Sequence, residues 1–219
     1  MKKAFILAGF TSVLFACNNT SDKDAANANT SNHTAHHNTT DNTKKQGEPN
    51  AIKETMEKMM HDMHGAKATG NNDIDFATMM MVHHKGAVEM SQVELDKGNN
   101  AELKVFAQKV IDDQNKEIAF MQEFVSKSVK NTSSNSAEFQ KALNHSMMAM
   151  MSGNTTIYND IDKDFAAQMI PHHQSAVDMA KAYLEYGKET SLRTLCQNII
   201  NAQTKEINWL KEWLGKNMK

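Results

Sequence analysis

The sequence predicts an all-α protein, two copies of a helical hairpin closing into an antiparallel four-helix bundle, and three observations predict it. A shift of 89 residues, without a gap, aligns Asp75–Val125 with Asp164–Leu214 and leaves 19 of 51 positions identical, where chance would give a handful. Apolar residues recur at alternating steps of four and three, the period of an amphipathic helix. No stretch alternates with period two, so no sheet is expected.

In each copy the first helix is predicted to open at an aspartate N-cap, Asp73 or Asp75 in the first and Asp162 or Asp164 in the second. It should end at Gly98 or Gly187, placed as left-handed C′ glycines. Its seam runs Phe76, Met80, His83, Ala87, Met90, and again Phe165, Met169, His172, Ala176, Met179. The second helix continues with Leu103, Ala107, Val110, Gln114, Ile118 and Met121, or Leu192, Cys196, Ile199, Gln203, Ile207 and Leu210. Four helices of about 25 residues, each roughly 37 Å long, joined by a short turn within each hairpin, suit such a bundle. A short methionine-rich amphipathic segment precedes each hairpin, Met56–His64 and His145–Met151. Pro171 withholds an amide from the first helix of the second copy and should kink it, whereas the first copy has Val82 there.

The N-terminus sets the compartment. Lys2 and Lys3 precede an apolar run, Ala4 to Phe15, too short to span a bilayer. It stops at Leu14-Phe15-Ala16-Cys17, which resembles a bacterial lipobox, although Phe15 is bulkier than usual before the small residue. Residues 1–17 thus read as a lipoprotein signal peptide with Cys17 as the acylated residue, the plainer alternative being an ordinary signal peptide with an incidental cysteine. Residues 18–50 are polar and should form a disordered stalk, since they cannot bury enough surface to offset their ordering entropy. His33, His36 and His37 within it could hold a divalent metal weakly, a solvated linker being the blander reading. Residues 51–219 form the helical domain, repeat 1 over 51–130 and repeat 2 over 138–219. The protein is expected to be exported and held in the bacterial cell envelope, facing the periplasm or in the outer membrane, by its lipid alone.

Composition removes several function classes. A net charge of −2, without a basic patch or stacking aromatics, offers nothing to nucleic acid. Beyond Cys17 there is only Cys196, so the mature chain has no intramolecular disulfide framework, and Cys196 aligns with Ala107 as a small core residue. No phosphate loop, nucleotide motif or hydrolase triad is present. Ferritin-like di-iron sites use Glu-x-x-His, and no Glu here has a His three residues later. The chain reads as a non-enzyme.

Methionine is in excess, 17 residues beside 10 His. Met fills cores, and its thioether also ligates soft metals. A lone core histidine is ordinarily just a hydrogen-bonded core residue. Here His83 and His172 each have a second His beside them (His84, His173), a Met three residues before (Met80, Met169) and a Met seven after (Met90, Met179). Residues three and seven apart share a helix face, so these groups can point into one volume. Gln114 and Glu117, or Gln203 and Glu206, should reach the same interior or its edge. Further candidate ligands are Met59, Met60, His61, Met63 and His64 in the first methionine-rich segment, and His145, Met147, Met148 and Met151 in the second. Core packing explains those two segments equally well. Thioether with imidazole selects copper, Cu(I) foremost with Cu(II) also accepted. Whether the two His pairs share one site or form two is left open by spacing alone.

The phrase Asp164-Phe-Ala-Ala-Gln-Met-Ile-Pro-His-His-Gln-Ser-Ala-Val-Asp-Met179, with Leu192 and Ala202-Gln-Thr-Lys-Glu-Ile207, resembles the family known as domain of unknown function 305. The resemblance covers residues 73–214; the first copy departs from it with Met81-Val82 and Lys85-Gly86 around its His pair. It implies a ferritin-like helical bundle, and copper binding or tolerance in exported members. The expected function is copper sequestration, tolerance or transfer, with a copper-handling protein as partner. A di-iron enzyme and a metal-free interaction module are the alternatives.

Overall fold

The computed structural model describes residues 50–129, 131–151 and 155–218. The signal peptide with Cys17, and His33, His36 and His37, lie outside the described residues. The described chain is helical, in the order α1 (Ala51–Gly65), α2 (Asn72–Lys97), α3 (Ala101–Lys127), α4 (Ser136–Met151), α5 (Ile161–Tyr186) and α6 (Thr190–Asn217), and no strand occurs among these residues. The four long helices form the duplicated hairpins α2–α3 and α5–α6. The methionine-rich segments are parts of the longer helices α1 and α4.

The helix starts differ from the sequence expectation. Asn71 caps α2, its side chain accepting from the amides of Asp73 and Ile74, and Asp160 caps α5 by accepting from Lys163 N. Asp73 and Asp162 fall in the first turn, where they favour the positive helix end. Asp75 and Asp164 are buried and turn back to hold the incoming loops. The Asp75 carboxylate accepts from Thr69 N and Oγ1 and Gly70 N, and Asp164 from Tyr158 N and Asp160 N. Each also accepts from a side chain distant in sequence: Gln140 donates to Asp75 at 3.0 Å and Asn50, the N-cap of α1, to Asp164 at 2.7 Å. The cap thus lies upstream because the Asp side chains are engaged elsewhere.

The glycines also differ. Gly98 and Gly187 are C-caps with φ of −67° and −85°, not left-handed C′ residues. They are needed for space. A Cβ on Gly98 would collide with the Glu94 side chain, and one on Gly187 with the Tyr183 ring. The chain runs on extended from both.

α2 and α5 pack together at the centre. α3 lies on α2, α6 on α5, and α1 and α4 each touch both central helices. The two sides of α2 are distinguishable by residue: His84 meets α3 through Glu117, while Gly86, about 200° further round, lies under Met59 of α1. Phe76 of α2 stacks on Tyr183 of α5 at 4.4 Å, and Phe139 of α4 meets the same ring edge-on at 6.2 Å. α5 continues as helix through Pro171. Cys196 is buried, and burial pushes its thiol up from the ordinary range. No described helix is long and apolar enough to cross a membrane.

Candidate metal centre

α2 and α5 bring the seam histidines His83 and His172 together, with His84 and His173 beside them in sequence. His83, His84, His172 and His173 are all 0 % exposed. The rings of His83 and His172 face each other at 3.8 Å, tilted by 40°, and His84 and His173 stand 6.3 and 6.0 Å from their sequence neighbours. His83 and His172 therefore meet across the α2–α5 contact, each with its neighbouring histidine about 6 Å away.

Hydrogen bonding leaves much of this cluster unpaired. His172 Nε2 is 3.1 Å from the His83 carbonyl, which only accepts, so the proton is on Nε2 and Nδ1 keeps a lone pair. The reciprocal approach fails: neither nitrogen of His83 reaches a partner. His84 Nε2 donates to Glu117 Oε2 at 2.7 Å, and the equivalent His173 Nε2 stands 3.1 Å from Glu206 Oε2, in ion-pair range but off the hydrogen-bond line. The Nδ1 atoms of His84, His172 and His173 have no partner. Burial, and then the neighbouring histidines, hold His83 and His172 well below the usual imidazole range, so both stay neutral at pH 7. Burial works to raise Glu206, but His173 and Lys109 outweigh it and bring the carboxyl to about 2.

The methionines divide. Met80, Met90, Met169 and Met179 are fully buried in the core of α2 and α5. Met59, Met63 and Met147 are buried on the inner faces of α1 and α4, and Met60 is half-buried. Gly86, one turn beyond His83, lets Met59 lie directly on the α2 backbone. His61, His64, His145 and Met148 are exposed on the outer faces, apart from the buried cluster. His64 Nδ1 bonds the Met60 carbonyl at 2.7 Å. Met151 ends α4, its side chain outside the described residues. Among the described residues no three His, Cys, Asp or Glu side chains gather as a metal site. A metal at the cluster would need thioether sulfur beside imidazole.

One related pair escaped the sequence reading. Tyr183 donates to Asp73 at 2.5 Å, joining the end of α5 to the start of α2. Its counterpart across the repeat is Glu94, 0 % exposed and facing Asp162. Neither Glu94 oxygen reaches hydrogen-bond geometry. Burial, and then the Asp162 carboxylate, push Glu94 up to about 8. Phenol against carboxylate aligning with carboxyl against carboxylate was the available signal, since the 89-residue shift relates the two pairs.

No curated protein matches this chain. Among solved structures, CopM in its Cu(I)-bound form aligns with a TM-score of 0.50 and 29 % identity, covering 66 % of this chain and 96 % of that one. CopM in its Cu(II)-bound form gives 0.51 and 28 % over the same shares. A DUF305 protein from Streptomyces coelicolor gives 0.54 and 22 %, covering 68 % and 95 %, and supports the fold alone. The profile of one family matches two overlapping stretches, residues 19–125 and 73–214, and the chain belongs to that family, the domain of unknown function DUF305.

Proposed function

We propose that this protein binds copper as cargo, without catalysing a reaction, and sequesters it or passes it to a partner in the bacterial cell envelope. The observation that carries the reading is four fully buried imidazoles, His83 facing His172 at 3.8 Å, each with at least one ring nitrogen that lacks a partner, on helices whose core is rich in buried thioethers. Buried polar nitrogens without partners are unfavourable unless something binds them. Imidazole is neutral here before any metal arrives, so binding at His83 and His172 need not displace a proton first. His84 is held by Glu117 in the manner of a metal-ligating histidine whose far nitrogen is fixed by a carboxylate. Thioether plus imidazole favours Cu(I). The solved CopM complexes with Cu(I) and Cu(II), at 29 % and 28 % identity, support the same metal.

The test is Cu(I) titration against a competing chelator, with wild type and a variant in which His83, His84, His172 and His173 are all replaced by leucine. The variant should lose the tightest sites. The copper-induced rise in melting temperature should shrink with them, because a ligand stabilises the fold only in proportion to its affinity for it. An unchanged rise would move the site to α1 and α4. Tethering is part of the proposal: Cys17→Ser should abolish metabolic labelling with a fatty acid, and equal labelling of the variant would refute it.

A further inference from the structure

We propose that the cleft between α3 and α6 is the port by which the metal enters and leaves, and that Glu117 and Glu206 stand between it and the buried histidines. This rests on the copper reading and adds a route to it.

All four imidazoles are fully buried, so a metal has to cross a layer of side chains to reach them. α1 and α4 each bridge the two central helices, whereas α3 packs on α2 and α6 on α5. α3 and α6 approach each other where Phe106 stacks on Trp209 at 4.8 Å and Lys109 Nζ reaches Glu206 Oε1 at 2.7 Å. Further along α3 they part around a cavity of about 210 Å³, lined by Asp113, Lys116 and Glu117 on one wall and by Asn198, Ala202 and Glu206 on the other. Two of these lining groups reach the buried histidines. Glu117 Oε2 accepts from His84 Nε2 at 2.7 Å, and Glu206 Oε2 stands 3.1 Å from His173 Nε2, which has no hydrogen-bond partner. Both glutamates keep part of their side chains in solvent, 22 % and 14 %. One carboxylate thus separates the cavity from each imidazole, and ring centroids 6.3 and 6.0 Å apart lead on to His83 and His172.

Glu117 is the freer of the two. Lys109 braces Glu206, but the equivalent position in the second repeat is Asn198, which has no charge to brace Glu117. Among the described residues the only ion-pair partner of Glu117 is His84. A carboxylate in a cleft raises the local concentration of cations, so capture is expected at Glu117, one side chain from His84.

Stopped-flow transfer of Cu(I) from a chromophoric chelator, and back to it, measures both rates. The full chain carrying Cys17→Ser and Ala202→Cys is labelled with a bulky maleimide. Cys196 is buried with its thiol pushed up, so it stays unlabelled. The control carries the same label on Lys211→Cys, exposed and outside the cavity lining. A plug in the route slows entry and exit by the same factor and leaves the equilibrium where it was. Relative to the control, the label at position 202 should slow uptake and release at least tenfold each, with Kd within twofold. Asn198→Cys, one turn earlier on the same wall, should act likewise, and it decides alone if Ala202→Cys does not fold by circular dichroism. Slowing below tenfold, or unequal slowing that moves Kd more than twofold, would overturn the port while the copper reading stands. Absence of tight Cu(I) binding in the wild-type chain would overturn the copper reading and the port with it, so the two failures are told apart.

Discussion

Replacing Gly86 with alanine tests whether α1 is pinned on the helix that carries His83. A Cβ on Gly86 would lie 2.6 Å from Met59 Cγ and 2.9 Å from its Cβ, with Sδ nearer still. Non-bonded carbons rest at about 3.5–4.0 Å, so all three contacts are collisions. A rotamer change could move Sδ and Cγ, but Met59 Cβ moves only with the α1 backbone. Overpacking typically costs about 1–3 kcal/mol, and a clash tied to backbone belongs near the upper end. Alanine in place of helical glycine returns about 0.8–1.0 kcal/mol. The net should be a destabilisation of about 2 kcal/mol by that difference. In a Met59→Gly background all three collisions vanish, so the same substitution should be near neutral or stabilising by up to about 1 kcal/mol. Urea denaturation of the four proteins, followed by helical circular dichroism, gives the coupling, expected at about 2–3 kcal/mol. A Gly86→Ala protein as stable as wild type would refute the placement of Met59. Coupling below about 0.5 kcal/mol would refute Met59 as the cause.

Three further outcomes follow from the buried polar groups. Glu94, raised from 4.5 to about 8, binds a proton in the fold that the unfolded chain gives up, so its contribution is complete below pH 4.5 and lost as pH rises through 8. Glu94→Gln should therefore gain stability over wild type on going from pH 4.5 to pH 8; parallel pH profiles of the two urea midpoints would count against the Asp162 contact. His83 and His172 are depressed, so the unfolded chain binds protons below pH 6.5 that the fold cannot, and their contribution is lost as pH falls. Wild type should weaken steeply from pH 6.5 to 5, and His83→Leu/His172→Leu should flatten that slope; an equal slope would show that acid acts elsewhere. Tyr183→Phe removes a hydrogen bond to a carboxylate, for which about 1.5–3 kcal/mol is typical, and a loss under about 0.5 kcal/mol in urea would show that the bond to Asp73 adds nothing.

The sequence by itself determined the helical class, the duplication and the burial of the seam. Those are properties of spacing: a period near 3.6 puts Phe76, Met80, His83 and Met90 on one face wherever the helix packs. It determined the donor chemistry too, because thioether and imidazole keep their preferences in any fold. The helix starts were misjudged because Asp73, Asp75, Asp162 and Asp164 are all good caps locally, and only the loops around Thr69 and Tyr158 show that Asp75 and Asp164 are otherwise engaged. Gly98 and Gly187 were read for left-handed freedom, when the demand on them is steric and comes from Glu94 and Tyr183. Tertiary structure alone decided that His83 meets His172 across the α2–α5 contact, and that His61, His64 and His145 face outward. A helix period fixes which side chains share a face; which partner that face meets depends on contacts between residues 89 positions apart, and no local pattern encodes those.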